Sequence, residues 1–264
     1  MKPLLAINLI SLYGSKKYSG IHHTSYLLSY LKNIFINLET TLNPYQFKES
    51  ILVLSQLYFD ALIENPSHSK NFLDVVMLSG KRTISSFYRG NGIDESAREL
   101  ICRNISELYN SIKSTKLKHR HINMDGVIQN FGLNMSSIDV FKNLDTIVCV
   151  ATSAFEPSYL MIDIIEKDEL VPLRYSRVSR HDVEVKNPLP NIESKITSKQ
   201  ILVVEDFMSS GMTLDKIVQY INKLCPKETY ISLVSGFNEM ILGFDLYCDK
   251  KTRFNGFNRV YKQK

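Results

Sequence analysis

Ile201-Leu202-Val203-Val204-Glu205-Asp206-Phe207-Met208-Ser209-Ser210-Gly211-Met212-Thr213-Leu214 is the segment on which the fold of this chain turns. Four consecutive apolar residues suit a strand buried on both faces. They run directly into two carboxylates. Unpaired charge is costly to bury, so Glu205 and Asp206 are expected at the strand's carboxyl end, facing a polar ligand or a hydrated cation. Ser209, Ser210, Gly211 and Thr213 follow, just before a helix expected over Thr213 to Leu224. Small hydroxyl residues and a glycine at a helix N-terminus let backbone N–H groups approach an anion, and the helix dipole favours negative charge there. One turn therefore offers a phosphate cradle with two acids beside it. A sugar phosphate fits both parts, with its phosphate in the cradle and its hydroxyls on the carboxylates. The plainer alternative, in which Ser209-Ser210-Gly211 is only a helix cap, stays open at this point.

Outward from this segment, strands and helices alternate. Thr146-Ile147-Val148-Cys149-Val150 reads as a buried strand, Pro157 to Glu166 as a helix, and Leu170 to Tyr175 as a second strand. Tyr230 to Val234 follows the central helix as a fourth. Such alternation means an α/β unit with a parallel sheet and helices on both faces. Ligands in these sheets bind at the carboxyl ends of the strands, so the chemistry is expected in the loops after Val150, Tyr175, Val204 and Val234. Phe244-Asp245-Leu246-Tyr247-Cys248 is a candidate edge strand.

The pattern of apolar strand, two acids, two variable residues, two small hydroxyl-type residues, Gly, one variable residue and Thr resembles the signature of the type I phosphoribosyltransferases, which bind phosphoribosyl pyrophosphate (PRPP). The resemblance covers about residues 140–240 and implies a phosphoribosyltransferase-like, Rossmann-like core. It implies that Glu205 and Asp206 hold the ribose hydroxyls and that Ser209, Ser210, Gly211, Met212 and Thr213 bind the 5′-phosphate. In relatives the loop after the first core strand binds pyrophosphate; here it is Ala151-Thr152-Ser153-Ala154-Phe155-Glu156-Pro157. Thr152, Ser153 and Ala154 take that place, although the loop has no glycine and carries an acid, Glu156. Arg174, Arg177 and Arg180 lie within seven residues, and Arg suits bidentate phosphate contacts. The resemblance makes them the clamp on the leaving pyrophosphate, with Arg177 as a catalytic candidate beside Glu205 and Asp206. Val183 to Ser198, with Asn187-Pro188-Leu189-Pro190 and no strong periodicity, reads as a lid. Phe237 and Asn238 fall where relatives contact the base. The implied reaction is transfer of a 5-phosphoribosyl group from PRPP to a nitrogenous base, with Mg²⁺ carried in by the diphosphate rather than held directly by the protein. The rival implication is a non-catalytic PRPP- or nucleotide-binding regulator; a third is an interaction protein on a degenerate fold. Ile-Leu-Val-Val-Glu-Asp also opens receiver domains of response regulators, but only 58 residues follow Asp206, too few for that domain.

The first half has a different period. Apolar stripes from Tyr26 to Leu38, Phe47 to Leu62, Asn71 to Phe87 and Ala97 to Ile112 predict four helices, broken at Asn43-Pro44, Asn65-Pro66 and Gly90-Asn91-Gly92, with Asp94 as an N-cap. The boundaries expected are a helical region over 1–125 and an α/β domain over 126–264. Lys113–His121 reads as a basic, solvated linker; the His22-His23 and His119/His121 pairs lack flanking ligands for a metal site. With 264 residues, 44% hydrophobic and 22% charged, the chain can build its core without staples. Cys102, Cys149, Cys225 and Cys248 lack ligand spacing and are expected to be reduced, as in a cytoplasmic protein. The formal charge of +5 lies wholly in residues 1–125, which hold 15 Lys and Arg against 10 Asp and Glu. Averaged over the chain it is too mild to mark a nucleic-acid binder, and nucleic acid is not expected as a partner. No apolar run reaches membrane-spanning length, no secretory leader is expected, and the family's habit suggests a homodimer.

Overall fold

The computed structural model describes residues 19–22, 24–66, 71–114, 120–123, 143–151, 154–175, 184–208, 211–236, 244–246 and 259–263. The chain divides into two compact units, Met1–Asp125 and Gly126–Lys264.

Among its described residues the first unit holds five helices: α1 (Thr24–Thr40), α2 (Pro44–Glu64), α3 (Asn71–Tyr88), α4 (Glu95–Arg103) and α5 (Ile105–Ser114). Asn43 starts α2: its Oδ1 accepts from the N–H groups of Tyr45 (2.9 Å) and Gln46 (3.3 Å), and Pro44 takes a first-turn place where its missing N–H costs nothing. α2 is buried almost throughout, from Phe47 to Leu62, because α1, α3 and α5 all pack on it. Even Lys48 is fully buried. Its ammonium sits 5.0 Å from the ring centroids of both Tyr45 and Phe87 and 3.2 Å from Glu49, so ring quadrupoles and a carboxylate replace the lost water.

Two expectations for this unit fail. The stripe from Ala97 to Ile112 is not one helix. Asp94 does cap its start, accepting from the Ala97 N–H at 2.8 Å, but the helix breaks at Asn104. The Asn104 side-chain amide donates to the Leu100 carbonyl at 2.7 Å, and such local bonding competes with the helical ladder. Nor is Lys113–His121 simply a linker. Strand β2 (Arg120–Asn123) begins inside it and pairs antiparallel with β1 (Ser19–His22), in the register Ser19↔Asn123 to His22↔Arg120.

The second unit is a six-stranded sheet. Its strands are β3 (Thr146–Ala151), β4 (Leu170–Arg174), β5 (Gln200–Met208), β6 (Glu228–Gly236), β7 (Phe244–Leu246) and β8 (Arg259–Gln263), in the order β4-β3-β5-β6-β8-β7. The first four are parallel and β8 runs antiparallel to both its neighbours. The helices are α6 (Phe155–Ile165), a short α7 (Ile192–Ile196) and α8 (Met212–Asn222). The expected parallel α/β core is present, and Phe244–Leu246 does supply the edge strand. Arg259–Gln263, a segment with no clear signal in the sequence, fills the place between that edge and β6.

From β3 the chain crosses through α6 to β4, on one side. From β5 it crosses through α8 to β6, on the other. Right-handed crossovers then put α6 and α8 on opposite faces of the sheet. Connections that leave in opposite directions make the gap between β3 and β5 the switch point of the sheet.

Candidate functional site

The two acids stand at that switch point, but not as loop residues. β5 continues four residues beyond Val204, because β6 goes on pairing with it as far as Phe207↔Ser235 and Met208↔Gly236. On its other side the ladder to β3 stops at Cys149↔Val204. β5 therefore stays paired on one flank and is released on the other just where Glu205 and Asp206 occur. Both are buried, at 4% and 3% relative exposure. Successive strand residues point to opposite faces, so the pair straddles the sheet instead of forming a side-by-side doublet. The Asp206 side chain makes no hydrogen bond or ion pair to any of the described residues. Of the two acids it is Glu205 that has a carboxylate oxygen, Oε2, both buried and without a hydrogen-bond partner, whereas the Asp206 oxygens are not fully shut off from solvent. The Asp206 carboxylate is satisfied by whatever brings hydroxyls or a hydrated cation to it, so the donor set fits ribose hydroxyls and the Mg²⁺ that accompanies a diphosphate.

Beside it, Gly211 opens α8. Its φ of 73° lies in the left-handed region, where a residue with a Cβ is strained by roughly 1–2 kcal/mol. The first turn closes with Asp215 N–H on the Gly211 carbonyl at 2.8 Å, and no side chain caps the helix start. The leading N–H groups of α8 are thus available to an anion. Met212 is 46% exposed and Thr213 half-buried on this turn. Ser209 and Ser210, expected to complete the cradle, lie outside the described residues.

The turn from β3 into α6 faces the same crevice. Ala154 is fully buried, its N–H donates to the Val150 carbonyl at 3.2 Å, and it precedes α6 without a side-chain cap. Glu156 occupies the first helical turn and is itself buried. Thr152 and Ser153 lie outside the described residues, as do Arg177, Arg180 and Phe237. Arg174 ends β4, half-buried. Its backbone forms a reciprocal bridge with Lys186: Arg174 N–H to the Lys186 carbonyl at 3.0 Å, and Lys186 N–H to the Arg174 carbonyl at 2.8 Å.

That bridge corrects the expected lid. From Asn187 onward the chain is pinned. Asn187 folds onto Leu189 through two bonds, Ile192 and Ile196 are buried, Thr146 Oγ1 donates to the Lys195 carbonyl at 2.7 Å, and Lys195 pairs with Glu169. Thr146 and Glu169 mark the amino ends of β3 and β4, so this stretch belongs to the edge of the sheet opposite the crevice. Its Pro-rich, aperiodic sequence is that of a packed crossover.

The sequence reading gave Cys149 only the part of a reduced strand residue, and gave Ser158 none. Cys149 is a free, buried thiol on β3. Burial is the main cause that drives its pKa far above the ordinary 9; the charges of Glu205 and Asp206 push the same way, and the Ser158 hydroxyl pulls against them. The thiol is thereby placed within electrostatic reach of both acids. The one signal for it was a sulfur in the middle of an otherwise aliphatic strand.

Residues 131–237 match the family model of the phosphoribosyl transferase domain. Among solved structures the chain is similar to one titled hypoxanthine-guanine-xanthine phosphoribosyltransferase, at 15% identity over 49% of this chain and 83% of that one. The TM-score is 0.28, a likeness that carries no weight of its own. No curated protein matches.

Proposed function

We propose, from a second unit that belongs to the type I phosphoribosyltransferase family, that this chain binds PRPP at the β3–β5 switch point and transfers its 5-phosphoribosyl group to a nitrogenous base, releasing pyrophosphate. The observation that carries this reading is Asp206: a buried carboxylate with no donor among the described residues, one turn from an uncapped helix start opened by a left-handed glycine. In this reading the N–H groups after Gly211, with the Ser209, Ser210 and Thr213 hydroxyls, hold the 5′-phosphate. Asp206 and Glu205 accept the ribose hydroxyls and favour positive charge developing on the ring. Mg²⁺, when bound with the diphosphate, offsets negative charge on the leaving group. Arg174, Arg177 and Arg180 receive the departing pyrophosphate, and Phe237 contacts the base. Holding donor and acceptor in one crevice is the larger part of the work.

The reading is tested by pyrophosphate release from PRPP and Mg²⁺ over a panel of bases. Release that requires one base, and that is lost in Asp206→Asn, supports it; intact PRPP affinity in that variant sinks the ribose role. A second reading has its own observation. Glu156 places an acid in the first turn of α6, where a pyrophosphate would approach, and no glycine opens that loop. A PRPP-binding regulator fits this better than a fast transferase, and PRPP affinity without turnover on any base would select it. No helix of the described residues is long and apolar enough to cross a membrane. A cytoplasmic dimer remains part of the proposal.

A further inference from the structure

Buried hydroxyls without partners lie on the same face of the sheet as Asp206. Cys149 on β3 stands opposite Val204 on β5, and Val204 stands opposite Ser232 on β6, so the three form one row across the sheet. Neighbours in such a row point to the same face, and Asp206, two residues beyond Val204, points there too. That face is the one α6 covers, since the Ser158 hydroxyl on α6 is close enough to Cys149 to act on its thiol. Ser158 and Ser232 are both fully buried, and neither Oγ has a hydrogen-bond partner among the described residues. A buried hydroxyl left unbonded is destabilising, and protein interiors satisfy such groups with ordered water where the site is polar. The polar group above the row is the Asp206 carboxylate. Its side chain has no bond to the described residues, and its oxygens are not fully shut off from solvent. Two hydroxyls with nothing to donate to thus share a face with a carboxylate that lacks donors.

We propose that Ser158 and Ser232 are positioning residues for the ribose site: each holds a buried water that donates to Asp206 and fixes the direction in which its carboxylate meets the ribose hydroxyls. The proposal rests on the reading of Asp206 as the acceptor for those hydroxyls. Two residues of rise, about 6.6 Å, and one strand spacing, about 4.8 Å, separate the Asp206 backbone from that of Ser232 on one side and of Cys149 on the other. A direct bond does not span that gap between short side chains, but one bridging water does. A carboxylate offers about four lone-pair sites, so waters from below leave places for two sugar hydroxyls above. The terminal torsion of an aspartate is broad, and donors from below narrow it before the ligand arrives. Thr229 supplies the contrast. Its Oγ1 is also buried and without a partner, but Thr229 stands opposite Ile201, on the other face and near the amino end of the sheet.

The test measures binding of ribose 5-phosphate and 2-deoxyribose 5-phosphate to the full chain by calorimetry, in the wild type, in Ser158→Ala/Ser232→Ala and in Thr229→Val. The wild type is expected to prefer the ribose ligand, whose additional hydroxyl Asp206 accepts. The serine variant should bind ribose 5-phosphate about fivefold more weakly, the size of one lost hydrogen bond, and the deoxy ligand within about twofold, so that the preference narrows. Thr229→Val should leave both affinities within about twofold. A serine variant that keeps the wild-type preference overturns the proposal. Equal narrowing in Thr229→Val also overturns it, because lost packing alone would then be the cause. A wild type that binds both ligands equally sinks the ribose role of Asp206 itself, and this proposal with it. Should the serine variant fail to fold, a high-resolution crystal structure of the wild type decides. Water bridging a serine hydroxyl to the Asp206 carboxylate supports the proposal, and hydroxyls turned onto backbone carbonyls overturn it.

Discussion

The turn from β5 into α8 and the turn from β3 into α6 lie at one edge of one sheet and lead into helices of equal length, yet they are built from different materials. The first has a glycine at φ 73°, no side-chain cap, and a buried carboxylate on the strand that enters it. The second has Ala154 at φ −85°, fully buried, and a buried acid in the helix's first turn. Both leave helix N–H groups uncapped, so the dipole alone does not distinguish them. What differs is access. A left-handed glycine carries no Cβ to stand between an anion and the backbone, whereas the other turn has a residue with a Cβ, Ala154, at that place and an acid, Glu156, in the helix's first turn. On the proposed reading the two phosphate-binding places are therefore unequal: one is provided for a single phosphate, and the other is less suited to a diphosphate.

Replacing Asp206 would break this contrast most severely. Asp206→Asn keeps the shape and removes the charge. A charged hydrogen bond contributes about 1.5–3 kcal/mol, so PRPP affinity by calorimetry should fall between roughly tenfold and a hundredfold. The Asp206 carboxylate makes no hydrogen bond or ion pair to the described residues, so the same change should leave the melting temperature about unchanged. Loss of affinity together with loss of stability would instead mark Asp206 as a structural residue.

Gly211→Ala attacks the turn itself. Left-handed backbone costs an alanine about 1 kcal/mol or more, and the new methyl would crowd the anion, so ribose 5-phosphate should bind about tenfold more weakly. Ala154→Gly is the matched change in the other turn. Its φ needs no glycine, so it should alter ribose 5-phosphate binding hardly at all. Equal effects from the two would erase the difference between the turns.

Glu156→Gln works in the opposite direction. Removing an acid from the first turn of α6 takes away a charge that repels a diphosphate. Charge–dipole and charge–charge effects at a helix end are about 0.3–1 kcal/mol, so pyrophosphate should bind two- to fivefold more tightly, read by competition against PRPP. Weaker binding would mean that Glu156 positions the loop or contacts the base.

Much of this contrast was legible in residues 201–214. The apolar run, the acid pair and the small-residue turn each have a local cause, and local causes can be read from sequence. Misreadings arose where tertiary pairing decides. Nothing in Glu205-Asp206-Phe207-Met208 says that β6 will keep the strand straight for four more residues, so the acids look like loop residues when they are strand residues. Asn187-Pro188-Leu189-Pro190 looks mobile because Pro and Asn break periodicity, yet Ile192 and Ile196, five residues of helix, anchor that stretch. Arg120 and His121, the start of β2, were read into a linker because the partner strand lies about a hundred residues away. In the helical unit the stripes gave the helices, but the break at Asn104 depended on one side-chain amide finding a carbonyl.

Cys149 links the two turns, since it stands on the strand leading to one and within the field of the acids on the other. Its folded-state pKa is raised, so the neutral thiol contributes stability that is complete below the ordinary value of about 9 and is lost as pH rises above it. Cys149→Ala should therefore flatten the alkaline limb of the stability profile measured by denaturant unfolding. It should leave PRPP affinity within about twofold, because the group is neutral at working pH and touches no proposed ligand atom.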